Sequence, residues 1–379
     1  MKRIFSVSIW LCLAVLGTSQ SNVITYKNLT YLDLPEHSTL VSCLQQFHWY
    51  EELKTESSLV RIIERELVSE HLEFDLYTPK VGENHPLLIF LHSGAFVLGN
   101  KTNSEMQQLG QAFSEKGIAF ASIEYRTKAL PLLSVTDAGY LAIQDLAAAV
   151  RFFKSQSEKY NIAEENIFVG GTSSGAITAL HFAYLDEDEF DPEDYVFLDE
   201  KFGCLKCNGV LGVDLDIRGV ISLNGAILEL NILNDESTPL LQFVGQNDRI
   251  LPATTGKPFK EYFSKPNSGM SVAQSFLSLI GEEWSLGLFN LIDDALEIPE
   301  TVGGIAIEEH VSQHNLFQVE TKLFPYKDHR LLISQTDNRK MSSFDDVVND
   351  TTLWISEKSI SKRKYWYQTW WDNLTNLFK

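Results

Sequence analysis

Short, continuously apolar runs alternate along this chain with stretches whose apolar residues recur at helical spacing. Pro86-Leu87-Leu88-Ile89-Phe90-Leu91 and Ile118-Ala119-Phe120-Ala121-Ser122-Ile123 have no polar face. Strands read this way when both faces of a parallel sheet are covered. Ile167-Phe168-Val169, Gly219–Leu223, Leu240–Val244 and Thr321–Phe324 continue the series, while Leu72–Tyr77 alternates apolar and polar residues until Pro79 ends it. Between them, Met106–Lys116 closes on Gly117, where a helix-terminating glycine belongs. Thr136–Tyr160 reads as one long helix with Leu141, Leu146, Val150 and Phe153 on one face. Parallel strands need long crossovers, so the alternation predicts an α/β fold: a mostly parallel central sheet with helices on both faces.

Two stretches break the rhythm. Asp186 to Glu200 is acidic and is expected as a solvated loop, since a charge run without ligand spacing faces water. Residues 253–300 form a longer insertion containing SFLSLIGEEWSLGLFNLIDDALEI, which is too apolar for an exposed loop and is expected to cap the body or a substrate chain as a lid beside the acyl pocket. Residues 20–60 show no clean period. No repeat or low-complexity linker divides the chain, so residues 20–379 read as one domain with insertions; its aromatic tail at 361–379 is expected to pack over the body, the alternative being an interfacial or partner-binding tail.

The most informative short stretch is Gly171-Thr172-Ser173-Ser174-Gly175. It separates the run Ile167–Val169 from Ala176, Ala179, Leu180 and Ala183 at helical spacing, and it fits G-x-S-x-G. A sharp strand–turn–helix holds the central serine clear of the backbone, and small neighbours let strand and helix pack closely. Ser173 is therefore a candidate nucleophile; the bland alternative is a small residue in a tight turn. Acyl transfer also needs a base, an acid to orient it and donors for the oxyanion, in the chain order serine, acid, histidine. Asp248 emerges beyond the strand Leu240–Val244, and His329 beyond Thr321–Phe324. Asp328 is a rival acid, but a neighbour in sequence points away from the ring it would hold. His310 and His314 are rival bases in GIAIEEHVSQHN, whose pattern suits an exposed helix. His92-Ser93-Gly94-Ala95-Phe96 follows a strand end, where an oxyanion loop belongs. His92 itself precedes the nucleophile and reads as a structural histidine of that loop.

The segments HSGAF, GTSSGA, VGQNDRILP and FPYKDH resemble the secreted, bacterial-type carboxylesterase and lipase branch of the α/β-hydrolase superfamily. SIEYR at 122–126 and AIQDLAAAVRFFKSQSEKYNI at 142–162 are similar to the strand and helix before that branch's elbow. The resemblance covers roughly residues 70–360 and is weakest in 185–215 and 253–300. It implies an α/β-hydrolase fold, with Ser173 as nucleophile, Asp248 as orienting acid and His329 as base. It also implies an oxyanion hole made by the backbone N–H groups of Gly94, Ala95 and Ser174. The branch spells its oxyanion loop His-Gly-Gly-Ala, whereas Ser93 stands here for the first glycine; backbone donors survive that change. Lys327-Asp328-His329 also departs from the usual glycine-flanked histidine. The activity implied is hydrolysis of small-molecule or lipid carboxylic esters through an acyl-enzyme, with no cofactor and no metal. The alternatives are a serine peptidase of the same fold, for which the chain has no room for an N-terminal propeller, and an inactive hydrolase-like binding module.

Composition narrows the partners. A formal net charge of −20 argues against nucleic acid and against a basic membrane-surface patch. Lys2 and Arg3 before an apolar run from Ile9 to Leu16, then Gly17, Thr18 and Ser19, read as a signal peptide over residues 1–19. That run is too short to span a membrane, so a secreted or periplasmic protein without a transmembrane anchor is expected. Export leaves Cys43, Cys204 and Cys207. No nearby ligands complete a zinc site around the C-x-x-C pair, which favours a loop disulfide.

Overall fold

In the computed structural model the apolar runs are strands, and the faces they bury explain their composition. The described residues are 22–34, 71–96, 99–127, 135–190, 192–260, 299–333 and 339–360. In chain order the elements begin with β1 (Val23–Asp33), β2 (His71–Pro79), β3 (His85–Leu91), α1 (Ser104–Glu115), β4 (Ala119–Ile123) and α2 (Val135–Ser155). They continue with β5 (Ile162–Thr172), α3 (Ser174–Tyr184), α4 (Pro192–Phe202), β6 (Val220–Leu223), β7 (Ala226–Ile227) and β8 (Leu240–Gly245). The last are β9 (Thr255–Gly256), β10 (Thr301–Gly303), α5 (Gly304–His314), β11 (Val319–Phe324) and α6 (Phe344–Lys358). Eight strands form one sheet in the order β1-β2-β4-β3-β5-β6-β8-β11, parallel from β4 to β11; β7, β10 and β9 make a small antiparallel sheet.

Strand β3 shows why these runs are apolar throughout. Leu87, Ile89 and Leu91 face a core shared with Val150 and Phe153 of α2, Leu180 of α3 and Ile307 of α5. Leu88 and Phe90 face the opposite core, with Met106 and Phe113 of α1 and Val347 and Trp354 of α6. Each buried leucine or phenylalanine contributes about 1.5–3 kcal/mol, so a polar residue on either face would be costly. Asn103 caps α1, its side chain accepting from the Met106 N–H at 2.9 Å.

The structure corrects three expectations. The region without a clean period contains β1, which pairs antiparallel with β2 through register shifts between Tyr26 and Leu29 and between Thr30 and Leu32. Those irregularities erase the alternation a reader would look for. The helix expected over 136–160 breaks after Ser155; a separate turn, Ser157–Tyr160, ends on left-handed Asn161. The acidic stretch expected as a solvated loop is a 3-10 turn, Glu187–Glu189, followed by α4. Pro192 opens that helix, a position where proline's fixed φ and missing N–H cost nothing, and Leu198 is buried on it.

Beyond α4 the chain runs back along α2. Gln144 Nε2 donates to the carbonyls of Phe202, Gly203 and Cys204, each at 3.0 Å. Arg151 donates to the carbonyls of Lys206, Asn208 and Val213. The sulfurs of Cys204 and Cys207 lie within disulfide distance, with Cα atoms 5.6 Å apart. Cys43, the segment 1–19, the tail 361–379 and residues 261–298 of the insertion lie outside the described residues. Among the described residues no helix is long and apolar enough to cross a membrane.

Candidate active site

Strand β5 ends at Thr172 and α3 begins at Ser174, leaving Ser173 alone at the turn with φ 56° and ψ −120°. A non-glycine residue rarely takes positive φ, and holding one there costs about 1–3 kcal/mol. The surrounding packing enforces it. A Cβ on Gly171 would lie 2.3 Å from the Gly175 carbonyl carbon, and one on Gly175 would lie 2.3 Å from the Leu91 carbonyl oxygen. Strand, turn and helix therefore close to a distance only glycine allows, and Ser173 projects from the C-terminal end of the sheet.

His329 comes to it from the far side. Its Nε2 lies 2.8 Å from Ser173 Oγ, and its Nδ1 lies 2.7 Å from Asp248 Oδ2. The Asp248 side chain is 2% exposed, and its other oxygen accepts from the N–H groups of Ile250 and Leu251 at 2.8 and 3.0 Å. Those two donors fix the carboxylate's rotation and leave Oδ2 aimed at the ring. In this geometry Nδ1 carries a proton donated to Asp248, and the Nε2 lone pair can take the Ser173 proton. The rivals stand apart. Asp328 accepts instead from its own neighbour, the His329 N–H at 2.7 Å, and from Arg249 N and Nε at 3.2 and 2.8 Å. His310 contacts Asn234 at 3.0 Å on α5, and His314 contacts the His310 carbonyl.

The loop after β3 takes three successive positive φ angles, at Gly94, Ala95 and Phe96. Ala95, Ser173 and Ser174 line one cavity wall. Ser174 is the first residue of α3, and the N–H groups of a helix's first turn have no intrahelical acceptor, so its donor is available. The loop is anchored through His92, which is fully buried. The His92 ring stacks on Tyr125 at 4.5 Å, its Nδ1 lies 2.9 Å from the Ser93 carbonyl, and the Tyr125 hydroxyl donates to the His92 carbonyl at 2.9 Å. Below it, Lys101 is 3% exposed and pairs with Asp75 and Glu73 at 3.1 and 3.4 Å. A further carboxyl, Glu105 on α1, accepts from Thr172 Oγ1 at 3.1 Å, one residue before Ser173. Burial raises its titration range, against the opposing pull of the Thr172 hydrogen bond and of Arg330, His329 and His92.

An apolar cavity of about 140 Å³ opens from Ser173 and runs beneath α4, past Ile143, Ile177, Leu185, Leu198 and Ile227. The one ionisable ring among its walls besides tyrosine is His181. The Leu228 N–H donates to His181 Nε2 at 3.2 Å, so Nδ1 carries the proton and donates to the Ile177 carbonyl at 2.8 Å. Burial lowers the His181 pKa, so the wall is uncharged at neutral pH. Pro258, Phe259 and Pro299, from the two described ends of the insertion, also reach this cavity.

The sequence reading singled out every residue of this relay. Asn224 and Glu105 carry no comparable signal in the sequence. Asn224-Gly225 after a strand reads only as a turn, and nothing local links either residue to the elbow.

Comparison with known proteins agrees with the architecture. The BD-FAE family model matches residues 74–226, a segment that contains His92–Phe96 and Ser173 and stops before Asp248 and His329. Over 108 residues the chain is 27% identical to gut esterase 1 of Caenorhabditis elegans, covering 28% of this chain and 19% of that protein. The matched stretch thus spans about a fifth of its relative's length. Among solved structures, the truncated form of a carbohydrate esterase from gut microbiota aligns with a TM-score of 0.51 and 14% identity, over 90% of this chain and 98% of that one. A thermophilic esterase from Thermogutta terrifontis, with propionate bound, aligns with a TM-score of 0.49 and 12% identity over 77% and 91% of the two chains. The chain has the α/β-hydrolase fold.

Proposed function

We propose that this protein is a serine esterase that hydrolyses carboxylic esters with apolar acyl groups. The observation that carries the reading is the continuous relay from Ser173 Oγ through His329 to Asp248, with both links under 3 Å. His329 Nε2 takes the hydroxyl proton as Ser173 Oγ bonds to the ester carbonyl carbon. Asp248 stays ionised and stabilises the imidazolium. The backbone N–H groups of Gly94, Ala95 and Ser174 receive the negative charge on the former carbonyl oxygen. As the carbon–oxygen bond to the alcohol breaks, His329 returns the proton to the leaving oxygen, and the acyl group remains on Ser173. Water, deprotonated by the same ring, then releases the acid and frees the serine.

The cavity supports an apolar acyl chain, because each CH₂ it buries contributes about 0.8 kcal/mol and no charged wall group would welcome an ionised one. The apolar run at the N-terminus and the C-x-x-C pair at disulfide distance support a secreted or periplasmic enzyme, since disulfides persist in oxidising compartments.

The test is a p-nitrophenyl ester series from acetate to octanoate on the purified protein, with Ser173→Ala beside it. Wild type should turn over the series, and the variant should lose on the order of 10⁴–10⁶ in kcat. An active-site phosphonate should add its mass to Ser173. Failure of wild type on every ester, or a label on another residue, would refute the assignment.

A further inference from the structure

The relay's three groups sit on different strands. Ser173 follows β5, Asp248 follows β8 and His329 follows β11, with β6 lying between β5 and β8. Neighbouring strands stand about 4.8 Å apart, which puts β11 roughly 14 Å from β5. The segment carrying His329 must therefore fold back over β8 and β6 to reach the serine. A loop making that return needs an anchor near its turning point.

Asn224, the first residue beyond β6, stands there. It is 3% exposed and takes φ 47°. Its Nδ2 donates to the His329 carbonyl at 2.6 Å, and its Oδ1 accepts from the Gly245 N–H at 2.7 Å. The two partners fix the amide's orientation, because a backbone N–H can only donate and a carbonyl can only accept. The Asn224 N–H donates to the Phe243 carbonyl at 2.9 Å, and the preceding Leu223 carbonyl accepts from the Ser173 N–H at 3.0 Å. One buried residue thus ties the histidine segment to the strand that delivers Asp248, beside the backbone bond that holds the serine.

We propose that Asn224 is the positioning residue that sets His329 against Ser173 and Asp248. The proposal rests on the esterase reading for its kinetic consequence, but not for its geometric one. A displacement of about 1 Å in a catalytic group can cost 10²-fold in rate, and the amide's two bonds are the restraint that prevents it.

The experiment uses two variants of the full-length protein. Glycine takes left-handed backbone freely, so Asn224→Gly removes both amide bonds without adding strain. Aspartate also tolerates that conformation, so Asn224→Asp keeps the acceptor for Gly245 and replaces only the donor facing His329. Both should lower kcat for p-nitrophenyl butyrate by roughly 10–100-fold, with KM within about twofold, and should leave the far-ultraviolet circular dichroism unchanged. The low-field proton resonance of the His329 Nδ1–H···Asp248 bond should shift or broaden in both. A variant that folds and keeps kcat within threefold, or keeps the resonance unchanged, overturns the proposal. So does a loss matched by a proportionate loss of far-ultraviolet circular dichroism, which would mean plain unfolding. If wild type hydrolyses no ester, the esterase reading fails by itself, and the resonance, which needs no substrate, still decides the role of Asn224.

Discussion

Asp248 and Asp328 both lie beside His329, yet their hydrogen bonds give them different work. Asp248 spends one oxygen on two backbone donors and the other on the imidazole. Asp328 sits 35% exposed against Arg249, bridging the two loops rather than touching the ring. Asp248→Asn should therefore leave melting nearly unchanged and cut kcat by about 10²–10⁴-fold, because the amide favours the wrong tautomer. Asp328→Asn should cost at most about tenfold in kcat/KM and about 1 kcal/mol in stability, the usual ceiling for a solvent-exposed pair. Steady-state kinetics of the two variants side by side, with thermal melts, check this; equal losses would mean that Asp328 also orients the ring. This assignment was legible in sequence, because an aspartate one strand ahead of the histidine can face it while an adjacent one cannot. Asn224 was not legible: its amide meets His329 across a separation of 105 residues, and no spacing pattern encodes a partner chosen by sheet geometry.

Helix α4 is the element where charge misled the reading and packing corrected it. Its acidic residues suggest solvent, and Val196 and Phe197 are indeed exposed, but Leu198 turns inward to wall the cavity. A short helix whose described side chains include one buried anchor carries too little periodicity to be recognised from composition. Because Leu198 walls the cavity proposed to take the acyl chain, Leu198→Trp should lower kcat/KM for octanoate esters by more than about tenfold. Acetate esters, which end before that depth, should stay within about threefold, since the lost contacts are those of the distal methylenes. Parallel losses on both would place the acyl chain elsewhere. The loop before β8 brings a proton-sensitive group to the residues that precede α4. Burial pushes Glu236 up to about 7, helped by Asp186 and Glu189 and opposed by Lys206. A carboxyl whose folded value is raised stabilises the fold below its ordinary value of 4.5, and that contribution is lost as pH rises through about 7. Glu236→Gln, which cannot ionise, should therefore melt progressively higher relative to wild type between pH 5 and pH 8. A difference that stays flat over that range would show that burial and its acidic neighbours do not hold Glu236 protonated.

For the molecule as a whole, the parallel part of the sheet could be read from the chain, because strands covered on both faces leave continuous apolar runs. The strand order could not, since the same runs fit several orders, and nor could β1, whose irregular register hides its period. Those two sheet flanks bear on how copies of this protein meet. A sheet ends in rows of unpaired N–H and C=O groups that can template a strand from another molecule. Here β1 interrupts its edge twice with register shifts, the first of which contains left-handed Asn28. At the other flank, the centre of β11 holds Lys322, paired with Glu320 at 3.0 Å and within 3.8 Å of Asp350. Bulges and a mid-strand charge both make poor templates, and a net charge of −20 adds long-range repulsion between copies. The same irregularity that conceals β1 from a reader of the sequence also protects the protein from fibrous self-association.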